Sequence, residues 1–294
     1  MILTTLGCLP KHPERLVRPD VSVAPWTEMR VVSPATGETY NYLFLSGPSA
    51  DAPAMLLLPG GFFDNRIWLY FQNLASRCNL YALDWPNASP LYRGRVEDMG
   101  EIAADFLATI GVKELHVVGV SAGAYPAVEL AANHKELRVD SVVLISSIMF
   151  GVSKKEIRKR KMGSRFALRL RPDTMRATAE RIAVRNEYEH APGAVQQKDI
   201  FWVRPYPYYH QIFEMTLNQG DRRQRTDEVM VPVLFFHGTK DEIMDYDIAK
   251  DNPTLFSNAE FITINGGLHS MVFSKGPEIS DMIVAHHVKQ GLFD

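Results

Sequence analysis

The feature that most constrains the fold of this 294-residue chain is a series of short runs that are apolar at nearly every position. Strands that are apolar on both faces belong to a parallel sheet covered by helices on each side. Helix-length segments with apolar residues at a 3.6-residue period lie between the runs or follow the last one. This alternation predicts a doubly wound α/β fold. The runs occupy residues 54–58, 80–83, 115–120, 141–145, 233–236 and 261–264. The helical segments occupy residues 67–76, 99–110, 124–133 and 279–289.

A hairpin before this pattern and an interruption within it define the predicted domain organisation. Residues 26–33 and 39–45 are β-rich and are separated by a Pro- and Gly-containing turn, so they predict a hairpin and bring the sheet to eight strands. From residue 148 to residue 226 the strand–helix alternation stops. We predict a helical cap over 148–226, above the carboxyl ends of the strands, and a core formed by residues 1–147 and 227–294.

Composition excludes several classes of protein. The longest apolar runs are far below the ~18 residues of a membrane span, and a net charge of −2 gives no general attraction to nucleic acid. Cys8 and Cys78 are too few for a disulfide framework. The first residues lack the basic start and long apolar core of a secretion signal. We therefore expect a cytoplasmic protein with little membrane contact and no metal.

The most specific motif is the sequence Gly-Val-Ser-Ala-Gly at 119–123, between an apolar strand and a helix. A serine on a sharp strand-to-helix turn needs strained backbone angles and small neighbours, which Gly119 and Gly123 supply. The start of the following helix directs free N–H groups toward negative charge near Ser121. The motif predicts that Ser121 is a nucleophile, whereas a glycine-lined turn is the simpler alternative.

A second glycine-rich loop, Pro59-Gly60-Gly61-Phe62, follows the strand at 54–58. Acyl transfer requires two backbone N–H groups directed at the developing oxyanion. One comes from the residue after the nucleophile, here Ala122, and the other from a loop of this kind. Gly61 is the predicted second donor and Phe62 the alternative; an ordinary turn would have the same composition.

The serine also needs a base and a carboxylate that orients the base. Asp241 follows the strand at 233–236, and His269 follows the strand at 261–264 within a glycine-rich loop. Both therefore lie at the carboxyl ends of strands, as Ser121 does. The chain order Ser, Asp, His matches one of three unrelated triad arrangements and excludes the other two.

Other histidines and carboxylates compete for these roles. His116 is expected in the core or at the end of the sheet. His237 is expected to pack beneath the Asp241 loop, and His286 and His287 in the terminal helix are expected to be solvated. The rival carboxylates are Glu242, Asp245, Asp247 and, from another strand, Asp84.

Together these residues resemble the α/β-hydrolase superfamily, and the resemblance extends from about residue 26 to residue 290. It rests on residues 59–61 with Trp68 downstream, on the turn at Ser121, and on the loops of Asp241 and His269. The family often has His-Gly where this chain has Pro59-Gly60. The resemblance implies a helical cap and an esterase- or thioesterase-like activity, but fold alone does not select the substrate.

The predicted cap carries the clues to the substrate. Residues 153–185 contain twelve Lys or Arg and three Asp or Glu, a net charge of +9 in a chain whose total is −2. A solvated helix face is the simpler explanation, and recognition of an anionic substrate is the alternative. Six aromatic residues cluster within residues 201–213 and either line the pocket or anchor the cap. The predicted substrate contacts are Phe62, Trp202, Tyr208 and Tyr209.

The sequence thus predicts a serine hydrolase that cleaves a small-molecule carboxylic ester or thioester. No cofactor is expected, because the chain has no phosphate-binding loop, no dinucleotide fingerprint and no His-Glu-x-x-His motif. An acyltransferase with the same triad, and a binding protein that has lost catalysis, are the two alternatives. The sequence leaves the oligomeric state open.

Overall fold

The computed structural model describes residue 18 and residues 20–61, 63–93, 95, 97–149 and 223–293. The predicted cap at 148–226 lies almost entirely outside the described residues. The same is true of the basic segment 153–185 and of four predicted contacts with substrate. These four are Phe62, Trp202, Tyr208 and Tyr209.

Eight strands form one sheet, in the order β1-β2-β4-β3-β5-β6-β7-β8. The β1–β2 hairpin and the β2–β4 pair are antiparallel, and all other neighbours are parallel. This confirms the predicted mostly parallel eight-stranded sheet. The strands are β1 Thr27–Val32, β2 Thr39–Leu45, β3 Ala54–Leu58, β4 Asn79–Asp84, β5 Glu114–Val120, β6 Arg138–Ile145, β7 Val233–Gly238 and β8 Ala259–Ile264.

Helices follow most of the strands, as the sequence pattern predicts. The predicted helix at 67–76 is a 3-10 helix, Asn65–Ser76, interrupted at Phe71, where φ is −98° and ψ is 16°. Two further 3-10 helices, Ser121–Gly123 and Asn252–Leu255, are short. The α-helices are α1 Glu97–Ile110, α2 Ala124–Asn133, α3 Arg223–Thr226, α4 Tyr246–Ala249, α5 Met271–Ser274 and α6 Gly276–Lys289.

Successive residues of the central strands enter two separate cores. In β3, Leu56 packs on the face covered by α1 and α2, while Leu57 packs on the face covered by the Asn65–Ser76 helix and α6. Both side chains are fully buried. The double burial explains why the strands are apolar at nearly every position.

This topology places the carboxyl ends of β3, β5, β7 and β8 along one edge of the sheet, because these strands are parallel. The loops that carry Gly61, Ser121, Asp241 and His269 leave the sheet at this edge. Across the described ranges, none of the helices combines the length and the apolar character needed to cross a membrane.

Candidate active site

Ser121 lies on the sharp turn between β5 and α2. Its φ is 51°, in the left-handed region that non-glycine residues seldom adopt. A Cβ added to Gly119 would lie 2.7 Å from the Cα of Ala124, and one added to Gly123 would lie 2.7 Å from the carbonyl oxygen of Pro59. The close approach of the flanking backbone therefore explains the glycines on both sides of the serine.

The structure brings Ser121, His269 and Asp241 into one chain of hydrogen bonds. His269 Nε2 lies 3.0 Å from Ser121 Oγ, and His269 Nδ1 lies 2.9 Å from Asp241 Oδ2 and 3.1 Å from Oδ1. A carboxylate can only accept, so Nδ1 of His269 carries the proton. Nε2 is then the acceptor for the hydroxyl proton of Ser121, which is the arrangement that a general base requires.

The carboxylate of Asp241 is buried and accepts several hydrogen bonds. Besides His269, the backbone N–H groups of Ile243 and Met244 donate to Oδ1 at 2.9 and 2.8 Å. Burial alone would raise the pKa of Asp241. The hydrogen bond and charge of His269 and the two backbone donors outweigh burial and hold the pKa below its ordinary value. Asp241 therefore stays ionised and stabilises a protonated His269.

A second histidine supports the same loop from below. His237, at the end of β7, donates from Nε2 to the carbonyl oxygen of Met244 at 2.8 Å, and the same nitrogen lies 3.3 Å from Asp241 Oδ2. Burial lowers the pKa of His237, although the Met244 carbonyl and Asp241 oppose this effect. The expectation that His237 packs beneath the Asp241 loop is confirmed, and a neutral, donating imidazole explains how it does so.

Close backbone contact joins the loops that carry Asp241 and His269. A Cβ on Gly238 would lie 2.8 Å from the Cα of Gly267, so neither loop could approach the other if Gly238 had a side chain. The N–H of Lys240 donates to the Gly267 carbonyl at 2.9 Å, and the N–H of Gly266 donates to Thr239 Oγ1 at 2.9 Å. These contacts set the distance between the carboxylate and the imidazole.

The loop after β3 passes directly beside the serine. A Cβ on Gly60 would lie 3.3 Å from the Cβ of Ser121, and Nε1 of Trp85 anchors the loop by donating to the Pro59 carbonyl at 3.0 Å. Ala122 and Gly61 are both buried next to Ser121. The role of their amides as oxyanion donors stays a prediction, and Phe62 lies outside the described residues.

The rival carboxylates have other positions and partners. Asp245 caps α4 by accepting from the N–H groups of Asp247 and Ile248, while Asp247 pairs with Lys250. Glu242 is exposed, and Asp84 lines a different cleft, beside the β1–β2 hairpin. None of the four is the carboxylate that accepts from His269.

A second serine contacts histidines, but it is buried away from this edge of the sheet. Ser141 Oγ lies 2.8 Å from His116 Nδ1 and 2.7 Å from His287 Nε2. All three residues are at most 2% exposed, so no substrate can reach the hydroxyl. The prediction that His286 and His287 are solvated is therefore wrong, since the side chain of His286 is 8% exposed and His287 is fully buried. The side chain points inward from α6 and His287 Nδ1 donates to the Ile283 carbonyl.

Three further features of the site were not predicted from the sequence. These are the anchoring of the loop by Trp85, the backbone donors to Asp241, and an apolar pocket beside Ser121. A Val-Phe pair three and four residues after His269 was the available signal for the pocket wall. In the part of the chain that the structure describes, no three His, Cys, Asp or Glu residues are grouped as metal ligands.

Comparison with known proteins identifies the family to which this fold belongs. A sequence model of the alpha/beta hydrolase family matches residues 55–278. A carboxylesterase of Bacillus subtilis strain 168, YbfK, is 31% identical over 141 residues, which cover 43% of this chain and 45% of that protein. The match thus spans less than half of the curated relative.

Solved structures share the fold at low sequence identity. A hydrolase from Pseudomonas aeruginosa PA01 has a TM-score of 0.70 and 14% identity, covering 90% of this chain and 98% of that one. The B. subtilis carboxylesterase CesB (YbfK) has a TM-score of 0.63 and 17% identity, covering 90% and 92%. With the sheet order, the serine turn and the family match in agreement, the chain belongs to the α/β hydrolase family.

Proposed function

We propose that this protein is a serine hydrolase that cleaves small-molecule carboxylic esters or thioesters through an acyl-enzyme on Ser121. The observation that carries the proposal is the hydrogen-bonded series Ser121–His269–Asp241, with separations of 3.0 and 2.9 Å. The partial sequence match to a carboxylesterase supports the ester as the reacting bond.

The residues have separate roles in the proposed reaction. Ser121 Oγ attacks the carbonyl carbon while His269 Nε2 accepts the hydroxyl proton, and Asp241 stabilises the imidazolium. The amides of Gly61 and Ala122 donate to the oxyanion. His269 then returns the proton to the leaving alcohol or thiol as its bond to carbon breaks. A water molecule, deprotonated by His269, releases the acid from the acyl-enzyme by the same steps.

Two serine variants test the proposal, because the chain contains a second serine bonded to histidine. Wild type, Ser121→Ala and Ser141→Ala are treated with a fluorophosphonate probe and assayed on nitrophenyl esters and acyl thioesters. We expect Ser121→Ala to lose labelling and to lower kcat by about 10⁴-fold or more. Ser141→Ala should keep both properties, since Ser141 is buried.

The other outcomes separate the alternatives. Labelling of Ser121 without hydrolysis, but with product formed when an alcohol or thiol is added, would indicate an acyltransferase. Unlabelled wild-type protein that still binds an ester would indicate a binding protein and would contradict the proposal.

The basic segment 153–185 motivates an additional expectation about the substrate. If it attracts anionic esters, the preference for an anionic over a neutral ester should fall as salt is raised, because screening weakens long-range attraction. A ratio of rates that is independent of salt would assign the segment to a solvated surface.

A further inference from the structure

A small pocket opens directly beside Ser121 and His269. Its volume is about 30 Å³, and most of its wall is formed by apolar side chains and by the backbone of the loop after β3. A cavity needs roughly 10–15 Å³ on this measure to hold one water molecule. The pocket therefore has room for about two heavy atoms, far less than the ~300–1,000 Å³ of a pocket for a drug-sized ligand.

The wall of the pocket cannot retreat easily. Ile67, Val272 and Phe273 are 1%, 3% and 2% exposed, so each is held by the core behind it. Phe273 also packs edge-to-face against Phe63, with ring centroids 5.5 Å apart. Displacing such close-packed side chains is unfavourable, because interiors contain few voids that could receive them.

The two helices behind the wall are in close contact as well. A Cβ on Gly276, at the start of α6, would lie 2.7 Å from the Cβ of Tyr70 in the Asn65–Ser76 helix. Neither helix can move toward the other to reshape the pocket. The side of the pocket formed by Ile67, Val272 and Phe273 is thus set by the packing of the core.

The chemistry of an acyl-enzyme indicates which half of the ester enters this pocket. After the first step the alcohol departs, and a water molecule must take its place beside His269 Nε2. The side of the leaving group therefore needs a route to solvent. The acyl group stays on Ser121 until the second step, so a recess bounded by buried side chains suits the acyl half.

We propose that this pocket limits the substrate to short acyl groups, acetyl and propionyl, while the alcohol or thiol half is not limited by it. The carbonyl carbon remains at Ser121 Oγ, and one or two further carbons fill the pocket between Ile67 and Phe273. This inference rests on the proposed function, because it assumes that Ser121 is acylated.

Two ester series measure the acyl and alcohol preferences separately. Nitrophenyl esters of acetate, propionate, butyrate and hexanoate vary the acyl group, and acetates of ethanol, butanol and hexanol vary the leaving group. A pocket that rejects one extra methylene discriminates by about 10–200-fold. We expect kcat/KM to fall at least about tenfold between propionate and hexanoate, and to change little across the alcohols.

Matched variants link the preference to the wall. Phe273→Leu enlarges the pocket and should shift the preferred acyl group by at least one carbon, whereas Phe293→Leu, in the same core but outside the pocket, should not. Ile67→Val and its control Ile283→Val repeat the comparison with a single methyl group, in case Phe273→Leu does not fold.

The inference and the proposed function fail in different ways. A wild-type profile that is flat or rises through hexanoate, or a dependence on alcohol size instead, would overturn the pocket assignment while the fluorophosphonate still labels Ser121. The pocket assignment would also be overturned if each variant and its control had the same dependence of kcat/KM on acyl length. Absence of labelling would instead contradict the proposed function itself.

Discussion

The arrangement of donors around Asp241 explains why this carboxylate, among several in the same loop, faces the histidine. The N–H groups of Ile243 and Met244 orient Oδ1, and the Nε2–H of His237 approaches Oδ2. Such donors favour the ionised form and permit one orientation of the group. The imidazole of His269 is thereby held in a single tautomer.

Replacing Asp241 by Asn should leave the fold intact and abolish most of the activity. An amide can donate to Nδ1 and so favour the wrong tautomer of His269; the analogous change in a serine protease lowers kcat about 10⁴-fold. Steady-state kinetics on a short nitrophenyl ester measure the effect. Asp245→Asn is the matched control, since Asp245 caps α4 and is not the carboxylate that accepts from His269. A loss below about tenfold would show that Asp241 does not orient the base.

His237 should affect stability more than chemistry. In His237→Phe the Met244 carbonyl loses its donor in a partly buried hydrogen bond, which should lower the free energy of unfolding by about 1 kcal/mol. His237→Gln, which retains an N–H donor, should recover part of this loss. Urea unfolding and kcat/KM are measured on both. If folded His237→Gln lost as much kcat/KM as Asp241→Asn, the expectation that His237 affects stability more than catalysis would be contradicted.

The strand–turn–helix element around Ser121 depends on contacts that leave no space for a Cβ. Gly119 faces the backbone of α2, and Gly123 faces the carbonyl oxygens at the end of β3. Gly111, after α1, is different: it has φ +75° but nothing within 4 Å of a Cβ. The first two positions need glycine because of close approach, and the third because of backbone conformation.

These two reasons predict that replacing glycine by alanine lowers the free energy of unfolding by different amounts at the two kinds of position. Gly111→Ala should lower the free energy of unfolding by about 1–2 kcal/mol, the cost of a left-handed alanine. Gly119→Ala should lower it by about 3 kcal/mol or more and should reduce fluorophosphonate labelling, because Ser121 must shift with the turn. Thermal melts and labelling of both variants test the comparison; equal losses of stability would be inconsistent with steric exclusion at Gly119.

Across the whole molecule, a buried polar network ties the last helix to the centre of the sheet. His287 Nδ1 donates to the Ile283 carbonyl, so its Nε2 accepts from Ser141, whose oxygen in turn accepts from His116 Nδ1. The network requires a neutral His287, because its Nε2 accepts a hydrogen bond, whereas His116 takes part as a donor. Burial lowers the pKa of His116 to about 4, with Asp140 opposing the shift and Arg138 adding to it. Burial, together with the neighbouring histidines, lowers the pKa of His287 to about 3.

This network should make the protein sensitive to acid well above the range in which carboxylates titrate. Unfolded histidines bind protons near pH 6.5, whereas the folded ones do not until about pH 4 and 3, so stability falls as pH decreases through this interval. With two such groups, the free energy of unfolding should fall by up to about 3 kcal/mol for each unit by which the pH is lowered. Urea unfolding between pH 7 and pH 4.5 measures it.

A variant of His116 tests whether the network causes this pH dependence of the free energy of unfolding. His116→Asn keeps a donor toward Ser141 but cannot be protonated, so about half of the slope should disappear. A His116→Asn slope equal to that of the wild type would show that other groups cause the acid sensitivity.

Local pattern in the sequence was sufficient for the strands, the four long helices and the Ser121 turn. Each of these depends on residues that are neighbours along the chain: apolar periodicity, or glycines two positions from a serine. The departures are details of helix type and length that apolar periodicity does not express. The Asn65–Ser76 helix is 3-10 and is interrupted at Phe71, and α4 and α5 are only four residues long.

Contacts between distant segments required the tertiary structure. The choice of Asp241 over its rivals, the inward side chain of His287 and the size of the pocket depend on which segments pack together. His269 and Ser121, for example, are 148 residues apart and yet separated by 3.0 Å. The amino-acid sequence therefore specifies the kinds of groups at the carboxyl edge of the sheet, because those follow from short-range spacing. Their distances, protonation and available volume follow from the packing of the two cores, which no single segment encodes.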